Sequence, residues 1–266
     1  MQRFVLVALV AIAASGCRVR SSPPVQIAPP VRPAAPARTL PEPTLLSAHF
    51  ALDDAPSLGD LDAVSVVFSV EVDPASLQPS AFMVVLADGT RAFPTEAVLA
   101  PSSEADENRT VLLVGDFGDP RRRPPADVLV IRTLHAETGQ SLRGLLGPIS
   151  GYDEGGRIVA AEQSETPCDA GAQRVRTYWT DALRGVEPAD LQAVTVELSG
   201  GRTAHPVAFD DHRSDREERE DNVLDLCVPA TEQVVSIWVE AGAFTDAPGH
   251  LSAATKTTVA RAPAPE

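Results

Sequence analysis

One pattern of residues occurs twice in this chain, and it constrains the fold more than any other feature. VSVVFSVEVDPASLQPSAFMVVLADGTRAFPTEAVLA, from Val64, has a counterpart in VRTYWTDALRGVEPADLQAVTVELSGGRTAHPVAF, from Val175. Asp73-Pro74-Ala75-Ser76-Leu77 matches Glu187-Pro188-Ala189-Asp190-Leu191, and Asn108 matches Asn222, both 114 positions further on. A later pair of apolar runs, ADVLVIRTL from Ala126 and QVVSIWVEA from Gln233, ends each time near a glycine turn, Thr138-Gly139 and Pro248-Gly249. The order of these segments, rather than their identity, marks an internal duplication.

Within each copy the apolar residues alternate. Val64/Val66/Phe68, Phe82/Val84/Leu86, Val194/Val196/Leu198 and Val235/Ile237/Val239 all repeat every second position, which is the strand period. Asp88-Gly89-Thr90 and Gly200-Gly201-Arg202 stand where a turn should follow a strand, and helix signal is confined to single turns such as Pro74-Ala75-Ser76-Leu77. The pattern predicts an all-β chain of two tandem β-sandwiches, one over 45–150 and one over 151–260, with Leu145 to Gly151 as the crossing. A module of roughly 100 residues buries enough surface to fold alone.

The ends read differently. Phe4 to Ala14, FVLVALVAIAA, is an apolar run of 11 residues behind Arg3, the layout of an export signal over 1–16. It is too short for a bilayer span, which takes roughly 20 residues. Residues 17–44 are proline-rich and poor in large apolar side chains, so they cannot offset the entropy of ordering and are expected to form a disordered, extended tether. Residues 261–266 are expected to be a frayed tail.

Ala14-Ser15-Gly16-Cys17 resembles the lipobox of bacterial lipoproteins. The resemblance implies a diacylglyceryl thioether on Cys17, an acylated amino terminus and a covalent hold on the membrane. Arg18 after the cysteine, rather than Asp, would then imply the outer membrane. Ordinary secretory cleavage after Ala13 would instead leave Cys17 a free thiol. With Cys17 lipidated, Cys168 and Cys227 remain as a pair, able to form a disulfide in an oxidising compartment or to stay two buried thiols.

VVFSVEVDPASLQPSAFMVVLADGT, Val66 to Thr90, resembles the opening of bacterial immunoglobulin-like domains of surface-layer and envelope proteins. That family implies an immunoglobulin-like sandwich used as spacer or binding module, with no shared catalytic residues. The second copy has Tyr178-Trp179-Thr180 in place of the Phe-Ser strand end, so its membership rests on the duplication.

No nucleophile elbow, phosphate loop, dinucleotide fingerprint or HExxH spacing occurs, and His49, His135, His205, His212 and His250 read as surface or turn residues. No enzyme is expected. Without residues 1–16 the chain carries 21 basic against 37 acidic residues, a formal charge of −16, which argues against nucleic acid and against electrostatic docking on anionic lipid.

Two charged loops hold equivalent places, SSEADEN (Ser102 to Asn108) and DDHRSDREEREDN (Asp210 to Asn222). Calcium takes six to eight oxygen ligands, which makes Glu104, Asp106, Glu107, Asn108, Asp215, Asp221 and Asn222 its candidates. Arg213, Arg216 and Arg219 inside the second loop favour a solvated hairpin instead. Arg121-Arg122-Arg123-Pro124-Pro125 reads as a polar turn before an anion site, and Tyr178, Trp179 and Trp238 as sandwich core before a sugar-stacking surface. The expectation is a lipid-anchored, non-catalytic envelope module, structural, adhesive or protein-binding, whose partner is an envelope protein or glycan; a carbohydrate- or calcium-binding surface lipoprotein is the alternative, and an envelope enzyme with no recognisable motif the third reading.

Overall fold

The computed structural model describes residues 40–51, 61–101, 107–168, 171–210, 221–246 and 248–261. The signal, Cys17, the tether as far as residue 39, Glu104, Asp106, His212, Arg213, Asp215, Arg216, Arg219 and residues 262–266 lie outside them.

The first copy supplies β1 (Leu45–Ala51), β2 (Asp62–Phe68), β3 (Phe82–Leu86), β4 (Arg91–Ala92), β5 (Glu96–Leu99), β6 (Thr110–Gly115), β7 (Pro125–Val130) and β8 (Leu146–Ser150). The second supplies β9 (Ile158–Gln163), β10 (Gln173–Arg184), β11 (Val194–Leu198), β12 (Thr203–Ala204), β13 (Ala208–Phe209), β14 (Asp221–Val228), β15 (Val234–Val239), β16 (Thr245–Asp246) and β17 (Thr255–Arg261). Each set forms one mixed, curled sheet. The orders are β4-β3-β7-β8-β1-β2-β6-β5 and β12-β11-β15-β17-β9-β10-β14-β13, with β16 paired to β10 off the second path. Each sheet has one parallel contact, β1 with β8 and β9 with β17; the other pairings are antiparallel.

The duplication is visible in the hydrogen bonds. Gly89 and Gly201 close equivalent hairpins with φ of 82° and 75°, a region that costs a residue with a Cβ. Their N–H groups donate to the carbonyls of Leu86 and Leu198, each at 2.8 Å. Gly139 and Gly249 likewise donate to Ala136 at 2.8 Å and Asp246 at 3.1 Å. The bridges His135–Ser141 and Thr245–Leu251 sit at the same place in the two copies. The predicted turn at Pro74 is a single 3₁₀ turn, Pro74–Ser76, capped by Asp73, whose Oδ1 accepts from Ala75 N–H.

Each sheet curls around its own core. Val64, Val66, Phe68, Phe82, Val84 and Val128 are among the residues packed in the first, and Val175, Trp179, Val194, Val196 and Ile237 in the second. The Trp179 and Phe244 rings meet edge to face at 5.1 Å, a contact worth about 1 kcal/mol beyond its buried area.

Two sequence expectations change here. On β15 the buried residues include Val234 in place of Val235, and Trp238 is 45% exposed. Leu198 pairs with Val234 while Glu197 pairs with Ser236, so a bulge between them breaks the simple alternation. Strands β2, β10 and β14 are also buried on both faces. Their second face packs against the other copy, where Val67, Tyr178 and Val223 form a small shared cluster with Leu46, Val159 and Ala160. Pro41–Glu266 is accordingly one compact unit.

Candidate functional site

Polar side chains converge where the two sheets meet. Arg176 on β10 faces its direct cross-strand partner Asp225 on β14, donating from Nε to Oδ1 at 2.8 Å and from Nη2 to Oδ2 at 2.9 Å. The same Nη2 lies 3.0 Å from Oε1 of Glu107, which belongs to the first copy. All three residues are buried. Burial works against the Arg176 charge, yet the hydrogen bonds and charge of Asp225, with Glu107 behind them, hold its pKa above the usual arginine value.

A second cation crosses in the opposite sense. Arg109, just before β6, donates from Nε to Glu71 at 2.9 Å and from Nη2 to both oxygens of Glu162 on β9, at 3.0 and 2.9 Å. Its guanidinium lies 4.6 Å from the centre of the Tyr178 ring, and the Tyr178 hydroxyl donates to Glu162 Oε1 at 2.9 Å. Burial raises the Tyr178 phenol far above its ordinary range. Burial also pushes the Glu71 carboxyl up to about 7, against the pull of Arg109 and with help from the nearby charges of Glu162 and Glu137.

The third contact is His49 on β1. Its Nδ1 lies 2.9 Å from Ser150 Oγ and its Nε2 3.2 Å from Asp181 Oδ2 on β10, with His49 and Asp181 only 1% and 2% exposed. Ser150 donates its hydroxyl to the Ala48 carbonyl at 3.1 Å. The residue types are those of a nucleophilic triad, but His49 and Asp181 are sealed from solvent, and the group ties β1 and β8 to β10. The reading of His49 as a surface residue is thereby corrected. On a strand whose alternate residues are Ala48 and Phe50, a polar His49 has the look of a solvent-facing position, and sequence carries no signal that another sheet lies there.

Two of the described calcium candidates, Glu107 and Asn222, fall on this same junction. Glu107 is held against Arg176, and buried Asn222 donates to Thr110 Oγ1 at 2.7 Å and to the Trp179 carbonyl at 3.2 Å. Each copy thus sends one residue from its charged loop across to the other. Asn108 donates to Glu137 at 3.4 Å, and Asp221 accepts from Val223 N–H at 2.9 Å. These groups are not gathered into one oxygen cage.

Cys168 and Cys227 form a disulfide, closing a loop 59 residues long between the approach to β10 and β14. The Asp210 carboxylate lies near both sulfurs, a grouping with metal-ligand chemistry in outline. The sulfurs are bonded to each other and Asp210 is paired with Arg174, so the group is not a metal site. The arginine cluster is the polar turn expected of it, with Arg121 and Arg122 N–H both donating to Asp119 at 2.9 Å, which lowers the Asp119 pKa. Beside it lies a cleft of about 390 Å³ lined by Phe50, Arg121, Pro125, Ile149 and Tyr152 among others.

No protein-family model matches the sequence, and no curated protein does. Among solved structures, the chain is similar to the crystal structure of the S-layer protein rSbsC(31-844), with a TM-score of 0.31 and 14% identity over 82% of this chain and 26% of that one. The chain therefore spans about a quarter of that protein's length.

Proposed function

We propose that this protein is a lipid-anchored envelope protein whose two immunoglobulin-like sandwiches act together as one rigid, non-catalytic spacer that presents a protein-binding surface. Strand order supports the immunoglobulin-like reading. With the strands of each copy lettered in chain order and the off-path β16 set aside, β5-β6-β2-β1 and β13-β14-β10-β9 read D-E-B-A, and β4-β3-β7-β8 and β12-β11-β15-β17 read C′-C-F-G. The resemblance of Ala14 to Cys17 to a lipobox supports the anchor, with Arg18 directing it to the outer membrane.

The observation that carries the rigid-spacer reading is the reciprocal set of ion pairs between the copies, the buried Arg176 with Glu107 and the half-buried Arg109 with Glu162. Buried ion pairs add little net stability over apolar packing, but they strongly penalise any displacement that separates them. A joint built this way keeps the second module fixed relative to the first, as a spacer requires. Calorimetry on the intact chain tests it: one transition with equal calorimetric and van't Hoff enthalpies is expected, and two resolved transitions would refute a rigid pair. The anchor is tested by the intact mass of protein extracted from its native membrane. Acyl mass on a chain beginning at Cys17, lost in Cys17→Ala, is expected; an unmodified chain beginning at Ala14 would overturn it.

A further inference from the structure

The outer face of β11, β15 and β17 carries a feature that the junction does not explain. Trp238 is 45% exposed, whereas Trp179 is 1% exposed. Its cross-strand neighbours are Thr195 on β11 and Lys256 on β17. The next rung is Glu197, Ser236 and Thr258. Lys256, the single lysine of the chain, turns its ammonium to Glu197 Oε2 at 3.1 Å, and the Ser236 hydroxyl donates to the same oxygen at 2.9 Å. These two hydrogen bonds, with the Lys256 charge, hold the Glu197 carboxyl below its usual range. The ammonium is thus directed to the carboxylate and not over the indole. In the first copy the rung matching Thr195–Trp238–Lys256 is Met83–Leu129–Leu146, which is apolar throughout.

We propose that Trp238, with Glu197, Lys256 and Thr195, forms a binding platform for a neutral oligosaccharide of β-linked, equatorially substituted pyranoses. Such a ring has flat C–H faces and an equatorial rim of hydroxyls. One C–H face stacks on the indole, while the rim reaches a carboxylate acceptor and an ammonium donor one strand spacing away. A protein partner fits less well, because a stable interface needs roughly 800 Å² per side with a broad apolar centre, and the cross-strand neighbours of Trp238 are the polar Thr195 and Lys256. The formal charge of −15 and the ionised Glu197 repel a polyanionic glycan, so the ligand class is a neutral glycan rather than an acidic one. The proposal is independent of the anchor and of the rigidity of the junction.

The test is titration of the full-length protein with cellotetraose and with N-acetylchitotetraose, followed by tryptophan fluorescence and calorimetry. Saturable binding of at least one of them is expected, weakened about tenfold or more by Trp238→Ala, partly restored by Trp238→Tyr and unaffected by Leu146→Ala. Circular dichroism on each variant separates lost binding from lost fold, and the exposure of Trp238 makes a folded variant the expected result. No saturable binding of either sugar, or binding that survives Trp238→Ala, would overturn the proposal. Tighter binding of polygalacturonate than of the neutral sugars would also overturn it, as would concentration-dependent self-association abolished by Trp238→Ala in a protein that ignores both sugars.

Discussion

Replacing Arg176 with methionine would leave the carboxylates of Asp225 and Glu107, 0% and 3% exposed, without the guanidinium that now lies 2.8 and 3.0 Å from them. Removing one member of a buried ion group typically costs 3–5 kcal/mol, because the remaining charge stays desolvated. Asp225 would keep Arg174 at 3.5 Å, so the lower part of that range applies, about 3 kcal/mol. The assay is urea denaturation of the intact chain, in wild type, Arg176→Met, Glu107→Gln and the double variant. Because Glu107 reaches Arg176 from the other copy, the cycle should return a coupling of about 1–3 kcal/mol between residues of different sheets. An Arg176→Met loss under about 1 kcal/mol, or additive single effects, would refute the argument that these charges lock the junction.

Glu71 predicts a dependence on pH. Its carboxyl titrates near 7 in the folded protein instead of near 4.5, so the folded state holds a proton that the unfolded chain has released across that window. Stability from this group is therefore greatest below pH 4.5 and falls as pH rises to about 7, by at most about 3 kcal/mol. Glu71→Gln should flatten that slope and be more stable than wild type at pH 8; an unchanged slope in urea titrations at pH 5 and 8 would count against it. Replacing both Cys168 and Cys227 with alanine should lower stability by about 2–4 kcal/mol, read as the difference in denaturation midpoint, and a reductant should then have no further effect. Millimolar calcium should leave the melting temperature unchanged, since Glu107 and Asn222 are already engaged across the junction; a rise of several degrees would show a site that their contacts do not exclude.

Much of each sheet was legible along the chain because local rules decide it. The alternation of Val64, Val66 and Phe68 places those residues in a core, and Gly89 and Gly201 close hairpins where the sequence has Asp-Gly and Gly-Gly. The correspondence of Asp73-Pro74 with Glu187-Pro188 predicts two copies of one strand plan, and the two sheet orders agree along their main paths, with β16 an addition to the second. The bulge at Glu197 and Leu198 was not legible, because the identity of the pairing partner rather than the strand itself creates it. Nor was the function of His49, Arg109, Arg176, Asp181 and Asp225. A polar residue opposite an apolar one on a strand reads as solvent-facing, and only the packing of one sheet against the other turns that face into a buried junction. Trp238 makes the converse point: its apolar side chain predicts burial, and the uncovered face of β15 leaves it in water. The sequence by itself thus determined the strands, their turns and their duplication, since these depend on neighbours a few residues away. Which second faces are covered depends on contacts between the copies, such as Arg176 with Glu107, and the tertiary structure alone decided that.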